Sequence, residues 1–349
     1  MSRNKRIAII GPYPPPYGGI SVHIERMLSR LPKENIHFFN TNKTASKGIP
    51  FYSIWIYIYV VYFLVARYKV IHYHSTSKKI RFLLSLVSFF KRNVFFHLHG
   101  ASFLDTINEA TFMAKKIKSL IPCTNFIASN ENIFHSLSEL NPRSIYLYDA
   151  FIPPTFNQND LDLFTEAFEL PSSQYIVCMV GWFSKYKQED LYGFDITLDV
   201  LYSLINKYDL DISLIASVNG VNDKALYDSF LHKRAALNLT NRFILIESKP
   251  KEIYPLFLYS HLFIRPTNTD GNSVSVKEAL WFETPIIASD AVPRPKEAYL
   301  FKNRDADDLA EKIMYVIKNQ QFLSLQKKID VCKSKTYRHP IIKDIYELE

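Results

Sequence analysis

Short runs that are apolar at almost every position recur along this chain, with helix-length stretches between them. Strand-length runs lie at 7–10, 68–74, 93–98, 125–129 and 144–148, and the segments 21–28, 51–66 and 83–90 read as helices. The alternation then repeats. Strands at 176–180, 212–216, 243–246, 262–264 and 286–288 are separated or followed by helices at 196–207, 223–237, 252–259, 274–282, 307–318 and 322–333. A strand that is apolar on both faces needs cover on both, and intervening helices supply it, so the pattern specifies parallel α/β sheets. The 349 residues accommodate about two such domains. The polar, proline-bearing stretch 152–173 reads as the linker. The expected division is 1–165, 166–325 and a helical tail at 326–349, free to pack back on the N-terminal domain. Two open sheets of this kind would face a cleft, with ligands at the carboxyl ends of the strands.

Hydrophobic residues make up 48% and charged residues 22%, which excludes a disordered chain or a small disulfide scaffold. The three cysteines, Cys123, Cys178 and Cys332, form no CxxC pair, so neither a zinc knuckle nor a dithiol motif is expected. Charge divides unevenly. Residues 1–150 hold 19 basic and 7 acidic residues, a net of +12; residues 151–349 hold 23 and 27, a net of −4. The basic half suits an anionic surface or a phosphorylated substrate. Nucleic acid is disfavoured, because the basic clusters lack an RNP-like or recognition-helix pattern. The apolar run after the basic N-terminus is too short for a secretory segment. The aromatic stretch 51–66 falls short of the ~20 residues of a spanning helix. It reads as a helix buried between sheet and neighbours, with an interfacial helix as the alternative.

The most informative segment runs from Arg265 to Leu280. A strand ends, a polar loop Thr267-Asn268-Thr269-Asp270-Gly271-Asn272 follows, and a helix begins near Ser273 with Val274 and Ser275. Unpaired N–H groups at a helix start, aided by the helix dipole, suit a diphosphate. Asp270 and Glu278, eight positions apart, can accept hydrogen bonds from vicinal hydroxyls, one pair on a sugar and one on a ribose. A second strand–loop–helix arrangement opens the chain at 7–28, with Gly18 and Gly19 in the loop and Ser21 as the expected N-cap. Its glycines are not spaced GxGxxG, so a dinucleotide site is not supported.

The segment Arg265–Leu280, with Thr284-Pro285-Ile286-Ile287-Ala288-Ser289-Asp290 after it, resembles the E-x7-E region of retaining GT4-type glycosyltransferases of the GT-B fold, in a branch found among bacterial surface-polysaccharide enzymes. Asp270 stands where that family commonly has its first glutamate, and Glu278 matches the second. Gly11-Pro12-Tyr13-Pro14-Pro15-Pro16-Tyr17-Gly18-Gly19 is similar to the family's first-strand loop beside donor diphosphate and acceptor. Phe96-His97-Leu98-His99-Gly100 is similar to the strand end that presents a histidine, here His99, near the donor sugar. The resemblance implies two Rossmann-like α/β/α domains, an N-terminal one for the acceptor and a C-terminal one for the nucleotide sugar. It implies transfer to a saccharide, lipid-linked through a polyprenyl diphosphate, in O-antigen, capsule or exopolysaccharide synthesis. Neither metal nor cofactor is expected. The cytoplasmic face of the plasma membrane is the expected location.

One position departs from the family. Tyr192, before Gly193, occupies the place of a lysine that serves the diphosphate. Lys185, Lys187 or Arg265 can supply the charge instead, and Arg265 is favoured because it ends a strand beside the loop and can bind phosphate through two parallel bonds. His72, His74 and His97 alternate on strands, but a zinc site built on them needs a further ligand in register. The pairs Asp160/Asp162, Asp209/Asp211 and Asp305/Asp307 sit in or beside polar stretches and do not suggest a metal-binding D-x-D motif. Two other functions remain open at this level: a nucleotide-sugar epimerase of similar shape, and a non-catalytic partner subunit, which Tyr192 keeps in view.

Overall fold

The computed structural model of the chain describes residues 6–15, 18–42, 47–51, 56–75, 77–100, 102–247, 252–269, 273–337 and 339–347. Its contacts divide into two compact units, Met1–Ile152 with Tyr337–Glu349, and Pro153–Thr336.

In the first unit, β1 (Ile7–Gly11), β2 (Ile36–Asn40), β3 (Ile49–Pro50), β4 (Val70–His74), β5 (Val94–Leu98), β6 (Asn125–Ala128) and β7 (Ser144–Leu147) form one parallel sheet, ordered β3-β2-β1-β4-β5-β6-β7. The helices are α1 (Gly19–Ser29), α2 (Ile56–Val65), α3 (Lys78–Phe90), α4 (Ser102–Ile107), α5 (Phe112–Leu120) and α6 (Glu131–Ser138). Side chains alternate across the sheet. Ile10, Ile71, Tyr73, Phe96 and Leu98 join the core under α2, α3 and α5. Ile9 and Val70 join Ile24 and Met27 of α1 on the other face. Gly11 permits that close approach, since a Cβ there would lie 2.4 Å from Ile24 Cδ1.

In the second unit, β8 (Tyr175–Phe183), β11 (Ile212–Val221), β12 (Phe243–Ile246), β13 (Leu262–Arg265), β14 (Ile286–Ser289) and β15 (Tyr299–Phe301) form a parallel sheet ordered β12-β11-β8-β13-β14-β15. A small antiparallel hairpin, β9 (Lys185–Tyr186) with β10 (Glu189–Asp190), follows β8. The helices are α7 (Gln158–Ala167), α8 (Phe194–Asn206), α9 (Lys224–Ala236), α10 (Tyr254–Tyr259), α11 (Val274–Trp281), α12 (Ala306–Asn319) and α13 (Leu325–Ser334). Gly193 turns the chain into α8 at φ +72°, and a Cβ there would meet Pro266 O at 2.5 Å, so glycine is required. The chain then returns to the first unit, where α14 (Pro340–Asp344) and the turn after it place Ile341 and Tyr346 in the core beside α1.

Two expectations need correction. The stretch 152–173 is not a plain linker, because α7 lies within it. Asn157 caps that helix by accepting from Asn159 N, and Leu161 and Phe164 are buried, so the contact boundary falls at 152/153. The aromatic helix α2 is also not buried all round. Phe63 is in the core, but Tyr57, Ile58, Val61 and Val65 are exposed, Val65 by 77%. The core accepts one face of α2 only, while the sequence is apolar on every face. No described helix is long and apolar enough to cross a membrane.

Candidate active site

Each sheet reverses its strand order once, and an open α/β sheet binds ligands beyond the carboxyl ends of the strands at that reversal. In the second unit the reversal lies between β8 and β13. Arg265 is the last residue of β13, 7% exposed. Its Nη1 donates to Val180 O at 2.9 Å, and its guanidinium carbon sits 5.1 Å from the centre of the Tyr192 ring. Tyr192 therefore backs Arg265 with a π-face. Gly181 leaves room for it, since a Cβ there would come within 2.9 Å of the Tyr192 ring.

Beyond Arg265 the chain reaches α11, with Ser273 at its N-cap. Ser273 Oγ lies 3.1 Å from Ser275 Oγ, and no side chain caps the helix among the described residues. The N–H groups of the first turn, at Val274 and Ser275, have no intrahelical acceptor, and this end carries the positive pole of the helix. Glu278 lies farther along the same helix and is buried. Asp270, Gly271 and Asn272 lie outside the described residues.

The other two cations expected here are occupied differently. Lys185 pairs with Asp223 at 3.1 Å. Lys187 turns the β9–β10 hairpin at φ +49°, its ammonium 5.4 Å from the Tyr186 ring centre. Sequence reasoning passed over the groups that hold this region together. Asp190 accepts N–H bonds from Tyr192 and Asp195, and burial, with Asp195 nearby, pushes its pKa up to about 6. Arg294 donates to Thr267 Oγ1 at 2.9 Å and to Ser289 O at 3.2 Å. The D-x-D residues serve local structure: Asp211 pairs with Arg242 at 2.6 Å, and Asp305 caps α12.

In the first unit the reversal lies between β1 and β4. The helix after β1 starts two residues earlier than expected. Gly18 is its N-cap, and Ser21, expected to cap, instead accepts from Gly18 N at 2.9 Å. A Cβ at Gly18, Gly19 or Gly100 would meet nothing within 4 Å. Packing within the unit therefore does not explain these glycines. His99 follows β5 and lies partly exposed, with its Nε2 2.9 Å from His74 Nδ1. It does not stand alone. His72 and His74 on β4, His97 on β5, His23 on α1 and His339 before α14 surround it on the face that α1 covers. Burial holds these imidazoles neutral: it lowers His23 to about 4 and His339 to about 3, and puts His72, His74, His97 and His99 well below the usual value, with the other histidines adding to the effect.

Residues 161–335 match the family described as glycosyl transferases group 1, which is half of the chain. The chain belongs to that family. No curated protein matches it. Solved structures that resemble this glycosyltransferase share its fold. HepE of Anabaena, solved in complex with UDP, is 13% identical, with a TM-score of 0.71 over 98% of this chain and 97% of its own. A glycosyltransferase from Rickettsia africae is also 13% identical, with a TM-score of 0.67 over 99% and 100%. The sucrose-phosphate synthase of Thermosynechococcus elongatus is 14% identical, with a TM-score of 0.63 over 98% and 96%. The architecture is GT-B.

Proposed function

We propose that this glycosyltransferase is a retaining enzyme of the GT4 type. It moves a sugar from a nucleotide diphosphate to a saccharide acceptor, lipid-linked through a polyprenyl diphosphate, during surface-polysaccharide synthesis. The observation that carries the reading is Arg265 at the strand reversal of the second unit, closing β13 in the same segment as the start of α11. Breaking the glycosidic C–O bond puts negative charge on the leaving diphosphate, and fixed N–H dipoles with a guanidinium stabilise that charge without reorganising. We assign the diphosphate to Arg265 and the N–H groups of Ser273, Val274 and Ser275, and hydroxyl recognition to Asp270 and Glu278. Lys185 and Lys187 take supporting roles at most, since one is paired and the other turns a hairpin. The acceptor attacks from the leaving-group side, and a phosphate oxygen takes its proton, so no metal is required for this step. HepE, solved with UDP and with UDP-glucose, supports a nucleotide sugar as donor. A screen of nucleotide sugars for diphosphate release, with and without a lipid-linked acceptor, tests the reading. Conversion of the donor to an epimeric nucleotide sugar without any acceptor and without net diphosphate release would favour an epimerase.

Acceptor recognition is assigned to the first unit, to Gly18, Gly19 and His99. Gly19→Ala separates this role from folding. It places alanine in open space in the first turn of α1, so stability is expected to rise by about 0.5–1 kcal/mol. Turnover with acceptor should fall at least ~10-fold, because the backbone can no longer approach a ligand closely. Unchanged turnover would remove this loop from the site.

The exposed face of α2, with basic residues elsewhere in the same unit, supports residence on an anionic membrane surface, the cytoplasmic leaflet in this reading. Replacing Val61 and Val65 together by glutamate removes two apolar contacts of about 1.5–3 kcal/mol each. Co-sedimentation with phosphatidylglycerol vesicles at low salt should weaken at least ~100-fold, with the melting temperature unchanged. A wild-type chain that stays in the supernatant refutes the membrane role.

A further inference from the structure

We propose that the first unit binds one divalent transition-metal ion of the zinc class through His23, His74 and His97, with His99 holding His74 in place. One ring nitrogen from each of these four histidines lies within 4.8 Å of the others. Three elements bring them together. His74 and His97 are register partners on β4 and β5, and His23 reaches the same face from α1. The ligand that sequence spacing could not supply is His23, distant in the chain and adjacent only because α1 packs over the ends of the strands.

Each of the three ligands keeps its Nδ1 in a hydrogen bond and its Nε2 out of one. His23 Nδ1 donates to Ala150 O at 2.6 Å, so its Nε2 carries a bare lone pair. His72 Nδ1 is hydrogen-bonded to the Tyr346 hydroxyl, which also lies 3.9 Å from Met27 Sδ. His72 Nε2 and His97 Nδ1 share a hydrogen bond at 3.2 Å; with the proton on His97 Nδ1, His97 Nε2 presents a lone pair. His74 Nδ1 and His99 Nε2 share another at 2.9 Å; with the proton on His74 Nδ1, His74 Nε2 does likewise. These three Nε2 atoms are buried and meet no hydrogen-bond partner among the described residues. A buried acceptor left unmade is costly, and three converging ones suit a cation that takes neutral imidazoles. Metal-bound histidines characteristically donate their second nitrogen to a carbonyl or another fixed group, as His23 does to Ala150. An all-imidazole set selects zinc, cobalt, nickel or copper over magnesium and calcium. Zinc–nitrogen bonds of about 2.0–2.1 Å set tetrahedral N···N edges of about 3.4 Å, so the rings close by roughly 1 Å on binding. The ion ties α1, which opens at Gly18, to the ends of β4 and β5. It is a staple of the first unit and takes no part in the proposed transfer step; because His99 is shared with acceptor recognition, the test reads metal binding and not turnover.

The test uses the full-length chain, stripped with a chelator and titrated with Co(II) and Zn(II). The expected result is one equivalent of Co(II) per chain with the intense visible bands of a four-coordinate site of three imidazoles and one water, displaced by Zn(II), and a higher melting temperature with Zn(II). His23→Asn and His97→Asn should each weaken binding at least ~100-fold, and His99→Ala, which removes only the partner of His74, about 10–100-fold. His135→Ala, on α6 and outside the cluster, should leave binding unchanged. Circular dichroism identifies any variant that fails to fold. In that case, X-ray absorption of the wild-type Zn(II) form decides: three imidazole nitrogens uphold the site. A stoichiometry well below one, a weak six-coordinate Co(II) spectrum, or wild-type binding in folded His97→Asn overturns it.

Discussion

Arg265→Ala is expected to lower kcat by about 10²–10³, the usual cost of removing one preorganised donor from a developing anion. The loss should fall mainly on kcat, because the charge Arg265 meets grows as the C–O bond breaks. KM for the nucleotide sugar should rise less, since the ground-state diphosphate also has the N–H groups of α11. Arg265→Lys keeps a charge but not the fork, nor the flat face against Tyr192, so partial recovery is expected. Tyr192→Ala should fall between the two, by loosening the guanidinium rather than removing it. Some of the alanine effect is structural, because Val180 O loses its donor at a cost of about 1–3 kcal/mol. Thermal melting measures that share and separates it from the kinetic one. Glu278→Ala belongs to the same experiment, and should lower kcat/KM at least as strongly if its carboxylate grips a hydroxyl of the donor. A folded Arg265→Ala enzyme with near-normal kcat would mean that the diphosphate is held elsewhere, and calorimetry with nucleoside diphosphates would then decide whether the second unit binds them at all.

The sequence made the sheets legible because parallel strands covered on both faces are apolar throughout. The apolar run Phe243–Ile246 coincides with β12, and Ser273 after the polar stretch 267–272 marks the start of α11. Arg265 could be singled out because it closes an apolar strand beside the segment that holds Asp270 and Glu278, and it is the last residue of β13. Elements held by a few tertiary contacts were harder. In α7 the buried residues are only Leu161 and Phe164, and the rest of the helix reads as loop. In α2 every position is apolar, so the sequence holds no stripe to show which face the core takes. The two-residue strand β3 has too few residues for a pattern, and β2 follows a polar turn and ends on Asn40. The histidine cluster was legible only in part. Alternation on β4 and β5 put His72, His74 and His97 on one face, but nothing local joins His23 or His339 to them. The stacking of Tyr192 on Arg265 likewise depends on the loop after β8 folding back, a long-range fact no spacing encodes.

Those histidines make the first unit sensitive to acid, with an effect comparable to its whole stability. In the folded unit His23, His72, His74, His97 and His339 are neutral, because burial lowers each below its ordinary value. In the unfolded chain they titrate near 6.5. The folded pKa is the lower one, so the unfolded state binds more protons below that value, and stability must fall as pH falls. At pH 7.5 the contribution is nearly complete. At pH 5.5 the unfolded state gains RT ln(1 + 10) per histidine, about 1.4 kcal/mol, or about 7 kcal/mol for five. Domains commonly have about 5–15 kcal/mol in hand. The groups facing the cluster do not offset this: Arg26 and Arg30 oppose protonation of His23 and His339, and Asp149 favours it only as the smallest influence on His23. The metal-free chain should therefore lose the first unit cooperatively between about pH 6.5 and 5, well above the range in which carboxylates titrate. Chemical denaturation at pH 7.5, 6.5 and 5.5 measures the slope. His72→Asn combined with His97→Asn should remove about two-fifths of it. Stability that stays flat over this range would mean that the imidazoles are not buried as a neutral layer beneath α1.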